Sequence, residues 1–184
     1  MPRKIISPSS EVRKSLRQSG LKARKGLGQH FLTDSSIVET IVSAAELTSR
    51  DFVIEIGPGL GILTSELSRK AGHVVAIELD TRLASQLKYK LSSLPNVTII
   101  NADILEIDLS EVLGNSKSYK VVANIPYYIT SPILHYFIEA ALKPSLMVVM
   151  VQKEVGDALV AQPGAMSVLA VTIQVYSKPG IISY

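Results

Sequence analysis

The chain has 184 residues, 47% of them apolar, which bounds it to one domain with room for a real core. It holds no cysteine, so disulfides and thiolate metal ligands are excluded and a reducing compartment fits; no apolar run is long enough to cross a bilayer. The net charge of +3 is uneven, because residues 1–25 carry eight basic side chains and only Glu11 as an acid, a local +7 that leaves −4 for the remainder.

Residues 1–21 read as an unstructured segment, punctuated by Pro2, Ser7-Pro8-Ser9-Ser10 and Ser19-Gly20. Three readings fit it: a basic arm for a polyanion such as RNA, an Arg- and Ser-rich organelle leader, or a solvated terminus with no role. The loop Lys25–Leu32 follows. Asp34 or Ser36 then opens a helix, and Ser36 with Glu39 fits a capping box. Its apolar face is Ile37, Ile41, Val42 and Ala45.

Phe52–Ile56 reads as a buried strand. It stops in Gly57-Pro58-Gly59-Leu60-Gly61, where glycines allow a tight turn and close approach of a ligand. A helix follows, with Leu60, Leu63 and Leu67 on one face. Val74–Ile77 is a second strand, ending at Glu78-Leu79-Asp80, and Arg82–Leu91 a second helix of this series. Val97–Ile100 is a third strand that stops at Asn101-Ala102-Asp103. A loop with a short helical turn leads to the fourth strand, Lys120–Ala123, which delivers Asn124-Ile125-Pro126-Tyr127. Ser131-Pro132 opens a helix with proline at its first position. Leu146–Gln152 is a fifth strand, Glu154–Val160 a helix, and Val168–Tyr176 reads better as helix than strand.

Alternating strands and helices predict an α/β fold with a doubly wound, mostly parallel sheet. Right-handed crossovers place the carboxyl ends of all its strands on one edge. Gly57, Glu78, Asp103 and Asn124 therefore converge on one rim.

The glycine pattern departs from Gly-x-Gly-x-x-Gly, since position 62 is Ile, and no Lys-Ser/Thr follows as in a P-loop. Glu78 at a second strand end is placed to accept hydrogen bonds from ribose hydroxyls, which suits a nicotinamide dinucleotide or S-adenosylmethionine. Asp103 can accept from an adenine amino group, and Glu55 can help hold a cationic amino group. Each acid alone reads equally well as a helix cap or a solvated loop residue; three at successive strand ends favour a site. Asn124 and the carbonyl of Ile125 can accept from an exocyclic amine, Pro126 stiffens the segment, and Tyr127 offers a stacking face. Such a constellation would aim an amine lone pair at an electrophilic methyl group by alignment and electrostatics. His73 and His135 stand alone and read as structural or surface residues, so no metal is expected. Tyr136 and Phe137 read as helix core.

Four blocks, Gly28-Gln29-His30-Phe31-Leu32, Glu55–Gly61, Ile77–Asp80 and Asn124–Tyr127, together with Asp103 and Gln152–Val155, resemble the ribosomal RNA adenine N6,N6-dimethyltransferases, and among them the bacterial small-subunit branch. The resemblance runs from about Lys22 to Tyr184. It implies a class I methyltransferase fold that uses S-adenosylmethionine, with His30, Leu32, Gly57, Glu78, Asp103 and Asn124 toward the cofactor, to which the reading of the residues themselves adds Glu55 and Gly59. It implies a catalytic segment Asn124, Ile125, Pro126 and Tyr127, and a substrate of two adjacent adenosines in a hairpin near the 3′ end of small-subunit rRNA, each flipped and methylated twice. Lys22, Arg24 and Lys25 would then face RNA phosphates, with residues 1–21 as the basic arm and 22–184 as the catalytic domain. A monomer acting on the immature 30S particle in the cytoplasm, away from membranes, is the implied setting. Position 30 is His where Asn is more usual, position 128 is Tyr where Asn is common, and the loop after Pro163-Gly164 is short. The family's proline-rich loop, last strand and helical RNA-binding domain would lie beyond Tyr184, so the sheet is expected to lack an edge strand. The alternatives are a non-catalytic rRNA-binding or assembly factor on the same fold, and an antibiotic-resistance methyltransferase of large-subunit rRNA.

Overall fold

The structure, a computed structural model, describes Leu32 and residues 34–184. Five short strands form one parallel sheet: β1 (Phe52–Ile56), β2 (His73–Glu78), β3 (Val97–Asn101), β4 (Lys120–Asn124) and β5 (Leu146–Met150), in the order β3-β2-β1-β4-β5. The order reverses direction between β1 and β4, so a crevice opens there at the carboxyl ends of the strands. This is the doubly wound sheet that the alternation predicts.

Alternate residues of each strand serve opposite faces, and the sequence loads both with apolar side chains. On one face Val53, Val74 and Val122 pack with Val38 and Ile41 of α1 (Ser35–Ala44) and with Leu63 and Leu67 of α2 (Ile62–Ser68). Ala76 on the same face meets Ala84, Leu87 and Leu91 from α3 (Thr81–Lys90) and its end. On the other face Ile54, Ile56, Val75, Ile77 and Val121 pack with α4 (Leu109–Leu113) and with Ile133 and Phe137 of α5 (Thr130–Glu139). Phe137 is fully buried, as expected for helix core; each such side chain contributes roughly 1.5–3 kcal/mol of apolar burial. Tyr136 packs at the edge of this cluster and its hydroxyl donates to the Ile107 carbonyl. Beyond α5, Leu134 and Ile138 meet Leu159 of α6 (Lys153–Leu159) and Ile173 of α7 (Val168–Tyr176), so the last apolar stretch is a helix.

Three local expectations need correction. α1 is capped by Asp34, whose Oδ1 accepts from Ser36 N at 2.9 Å and from Ser36 Oγ at 2.7 Å, so the Ser36–Glu39 box does not form. Ser36 already lies within the helix, and its hydroxyl points back to the cap. Pro132 is the third residue of α5, not the first, because a 3₁₀ turn over Tyr127–Ile129 carries the chain into the helix two residues earlier. Proline is still tolerated there, since the first-turn N–H groups have no intrahelical acceptor. β3 ends at Asn101, two residues before Asp103, because Asn101 remains in register with Glu78 and its Nδ2 donates to the Glu78 and Leu79 carbonyls.

The central pair of strands is tied at its base as well as along its ladder. Lys120 Nζ, at the start of β4, donates to the carbonyls of Ala45 (3.1 Å) and Glu46 (2.8 Å) and lies 3.3 Å from Asp51 Oδ2. Glu46 adopts φ 47°, a strained backbone for a side-chain-bearing residue, and its carbonyl is one of those that Lys120 holds. The His73 ring lies tilted beside the Phe52 ring, and His135 sits 3.7 Å from Glu139 on α5.

Candidate active site

The turn after β1 is built from backbone that only glycine adopts readily. Gly57, Gly59 and Gly61 have φ values of 62°, 57° and 74°, all left-handed. A Cβ at Gly61 would also stand 2.6 Å from Leu87 Cδ2, so the turn lies flat against α3. Three further bonds fix it: Gly57 N donates to the Ile77 carbonyl, Gly61 N to the Pro58 carbonyl, and Lys90 Nζ donates to the Leu60 carbonyl at 2.6 Å.

Glu78, the last residue of β2, is nearly buried and grips the same turn. Its Oε2 accepts from Gly59 N at 3.1 Å and its Oε1 from Asp80 N at 2.9 Å. Burial pushes its carboxyl above the ordinary range, while the two amide donors pull it back down. A carboxylate oxygen accepts more than one hydrogen bond, so this arrangement leaves acceptor capacity at the rim.

Glu55 differs from Glu78. It lies inside β1, is 1% exposed, and its Oε2 has no hydrogen-bond partner among the described residues. Burial pushes its carboxyl up to about 8; the facing Thr64 hydroxyl pulls it down and the Glu78 charge adds to the rise. Thr64 Oγ1 is buried without a hydrogen bond of ordinary geometry, so two polar groups meet in an otherwise apolar layer.

Across the crevice β4 delivers Asn124. Ile125 N donates to the Met150 carbonyl at 3.1 Å and its side chain is buried in the core, so Ile125 presents only backbone to the rim. Pro126 Cδ comes to 4.0 Å from the point where a Cβ on Gly57 would stand, which brings this segment directly against the glycine turn. Tyr127 is 36% exposed and Tyr128 53% exposed, both on the 3₁₀ turn, while Ile129 turns inward to the core.

A cleft of about 350 Å³ lies between these parts, lined by Leu32, Glu55, Gly57, Gly59 and Asn124 among the predicted residues. Pro58, Leu60, Ile62 and Leu63 complete its wall. Glu78 reaches the cleft through its bond to Gly59. Asp103 does not line it: its Oδ1 accepts from Leu105 N at 2.9 Å and closes a local turn beyond β3. His30, Lys22, Arg24 and Lys25 lie outside the described residues. Two contributors escape sequence reasoning. Thr64 is legible only as a helix position between Leu63 and Leu67, and Lys90 as one more cation on an exposed helix; no sequence signal says that they face Glu55 and Leu60.

Order of strands, switch-point crevice and glycine turn fit the class I methyltransferase fold. Two solved structures share it above the level of fold alone: a 23S rRNA methyltransferase, ErmE (TM-score 0.67, 35% identity, 77% of this chain and 56% of that one), and a dimethyladenosine transferase from Plasmodium falciparum (TM-score 0.69, 30% identity, 79% and 52%). Residues 20–181 match the family described as ribosomal RNA adenine dimethylase, and the chain belongs to that family. Among curated relatives, ribosomal RNA small subunit methyltransferase A of Dehalococcoides mccartyi is 52% identical over 163 residues, covering 89% of this chain and 56% of the relative. The protein of that name from Latilactobacillus sakei is 44% identical over 179 residues, covering 94% and 60%. The chain thus spans somewhat more than half the length of the curated relatives it matches. No described helix is long and apolar enough to cross a membrane.

Proposed function

We propose that the chain is the cofactor-binding and catalytic part of an S-adenosylmethionine-dependent rRNA adenine N6,N6-dimethyltransferase, acting on two adjacent adenosines of a 3′-end hairpin in small-subunit rRNA. The observation that carries the reading is the left-handed glycine turn facing Asn124 in one cleft, with Pro126 beside Gly57, within a family of adenine dimethylases. The residues present fit the cofactor. Gly57 and Gly59 allow a ligand against bare backbone, Glu78 has acceptor capacity for ribose hydroxyls, and Glu55 is a buried carboxyl whose Oε2 lacks a hydrogen bond. Leu32 supplies an apolar wall and His30 and Asp103 further contacts, the latter after release of its Leu105 bond. Bound there, the cofactor supplies an electrophilic methyl group.

Asn124 and the Ile125 carbonyl accept from the target amine and so direct its lone pair into the cleft. Pro126 holds their spacing, and Tyr127 stacks on the flipped base, a contact worth roughly 1–3 kcal/mol. Alignment and electrostatics carry the rate, with the amine proton lost to solvent. Lys22, Arg24 and Lys25, with the basic arm 1–21, neutralise RNA phosphates. The setting that follows is a monomer working on the immature 30S particle in the cytoplasm.

The similarity to ErmE supports a second reading, a large-subunit target. Incubation with tritiated S-adenosylmethionine and separate small- and large-subunit particles decides between them. Label recovered as dimethyladenosine in small-subunit RNA is expected. Label only in large-subunit RNA would favour the second reading, and binding of RNA without label would favour an assembly role.

A further inference from the structure

Glu55 is the one ionisable side chain that the sheet buries completely within the cleft wall, and its Oε2 has no hydrogen-bond partner among the described residues. Its surroundings explain why neutrality suits it there. Its ladder neighbours are Ala76 on β2 and Val122 on β4. Thr64 faces it from α2, Glu78 acts on it from the end of β2, and neutral Asn124 stands at the end of β4. From α1 the inward residues are Val38 and Ile41. None of these groups is cationic, and the one charged neighbour has the same sign. A buried carboxylate without a compensating cation is expensive, so burial favours the protonated form of Glu55.

Resting on the cofactor reading above, we propose that Glu55 is the charge-selecting group of the cleft: it gives up its proton when an α-ammonium enters and then serves as that cation's counter-charge. The carboxyl O–H bond breaks, the proton passes to solvent buffer, and the carboxylate accepts a hydrogen bond from the ammonium. Binding of a ligand with an amino-acid end is then coupled to release of a proton. A ligand with the same adenosine but no α-ammonium group binds without that release. The cleft thereby reads charge beside the sulfur as well as the shape of the nucleoside. His30, outside the described residues, is the other titratable group that the sequence assigns to this site, so the test must separate the two.

Calorimetric titration of the full chain in buffers of different ionisation enthalpy counts protons released on binding. The ligands are S-adenosylmethionine, S-adenosylhomocysteine and 5′-methylthioadenosine. With burial holding Glu55 near 8, the first two should release nearly one proton at pH 7, and their affinity should rise about tenfold per pH unit from pH 5.5 to pH 7. Methylthioadenosine should release none, and Glu55→Gln should abolish the release and flatten the affinity profile. Equal release with methylthioadenosine, or persistent release in E55Q, would place the proton on another group and overturn the proposal. Release with S-adenosylmethionine alone would assign the counter-charge to the sulfonium and overturn the ammonium assignment. Binding of all three without proton release would overturn the proposal while leaving the cofactor reading intact. No binding of S-adenosylmethionine by the folded chain would overturn both. If E55Q fails to fold, the three-ligand comparison on the unaltered chain still decides.

Discussion

The two walls of the cleft are built to opposite specifications. The β1–β2 wall is tied down: three left-handed glycines are held by a Glu78 carboxyl bridging Gly59 and Asp80 and by Lys90 on the Leu60 carbonyl. The β4 wall starts equally firm, with Ile125 buried and hydrogen-bonded to β5, and then opens to solvent through Tyr127 and Tyr128 within three residues. A rigid concave wall suits a small ligand that is always the same, and preorganisation lowers the ordering cost of binding it. An exposed aromatic turn suits a large partner of which only one base enters. Under the proposed function these two walls would serve cofactor and RNA respectively, and each can be damaged separately.

The largest effect is expected on the locked wall. Gly61→Val forces a β-branched residue into φ 74° and against Leu87, and should cost about 2–5 kcal/mol of stability in urea denaturation. A loss below about 1 kcal/mol would mean that the turn relaxes and is less rigid than described. Next comes pH. Glu55 binds its proton more tightly in the folded state, up to about 8 against an ordinary 4.5, so the folded chain holds more protons than the unfolded one. Its contribution is fully present below the unfolded value and is lost as pH rises towards the folded one. Without ligand, stability should fall by about 2–3 kcal/mol between pH 5 and pH 7 from this group, with Glu78 acting in the same direction. Glu55→Gln should remove most of that slope. The smallest effect is on the open wall: Tyr127→Ala should weaken binding of the target RNA by about 1–3 kcal/mol, Tyr127→Phe by much less, and neither should alter cofactor affinity. Parallel losses of cofactor and RNA affinity would erase the distinction between the walls.

Much of this arrangement is legible in the sequence because parallel strands buried on both faces read as continuous apolar runs, as at Val74–Ile77 and Val121–Ala123. Glu55 interrupts such a run, which marks it as unusual, yet only the structure shows its Oε2 without a partner and Thr64 opposite. The glycine turn is legible because left-handed backbone demands glycine. Asp103 is not: a carboxylate two residues past a strand serves a ligand or its own loop equally well, and here it bonds Leu105 N. The start at Asp34 was one of two offered and the start at Thr130 was misjudged by two residues, because several residues near each start can cap or tolerate it and only hydrogen bonding chooses among them. The basic arm, with Lys22, Arg24, Lys25 and His30, lies outside the described residues and rests on charge and resemblance alone.

The central claim is that the β1–β2 wall holds the cofactor while Asn124 orients the adenine amine, and Asn124→Ala tests it most directly. Methyl transfer to small-subunit RNA and calorimetric binding of S-adenosylmethionine should be measured on the same preparation, in the chain and in any longer parent. Transfer should fall by about 10²–10³-fold or more, as when an aligned polar group is lost from an active site, while cofactor affinity falls less than about tenfold. Transfer at the unaltered rate, or a loss of cofactor binding as deep as the loss of transfer, would contradict the account.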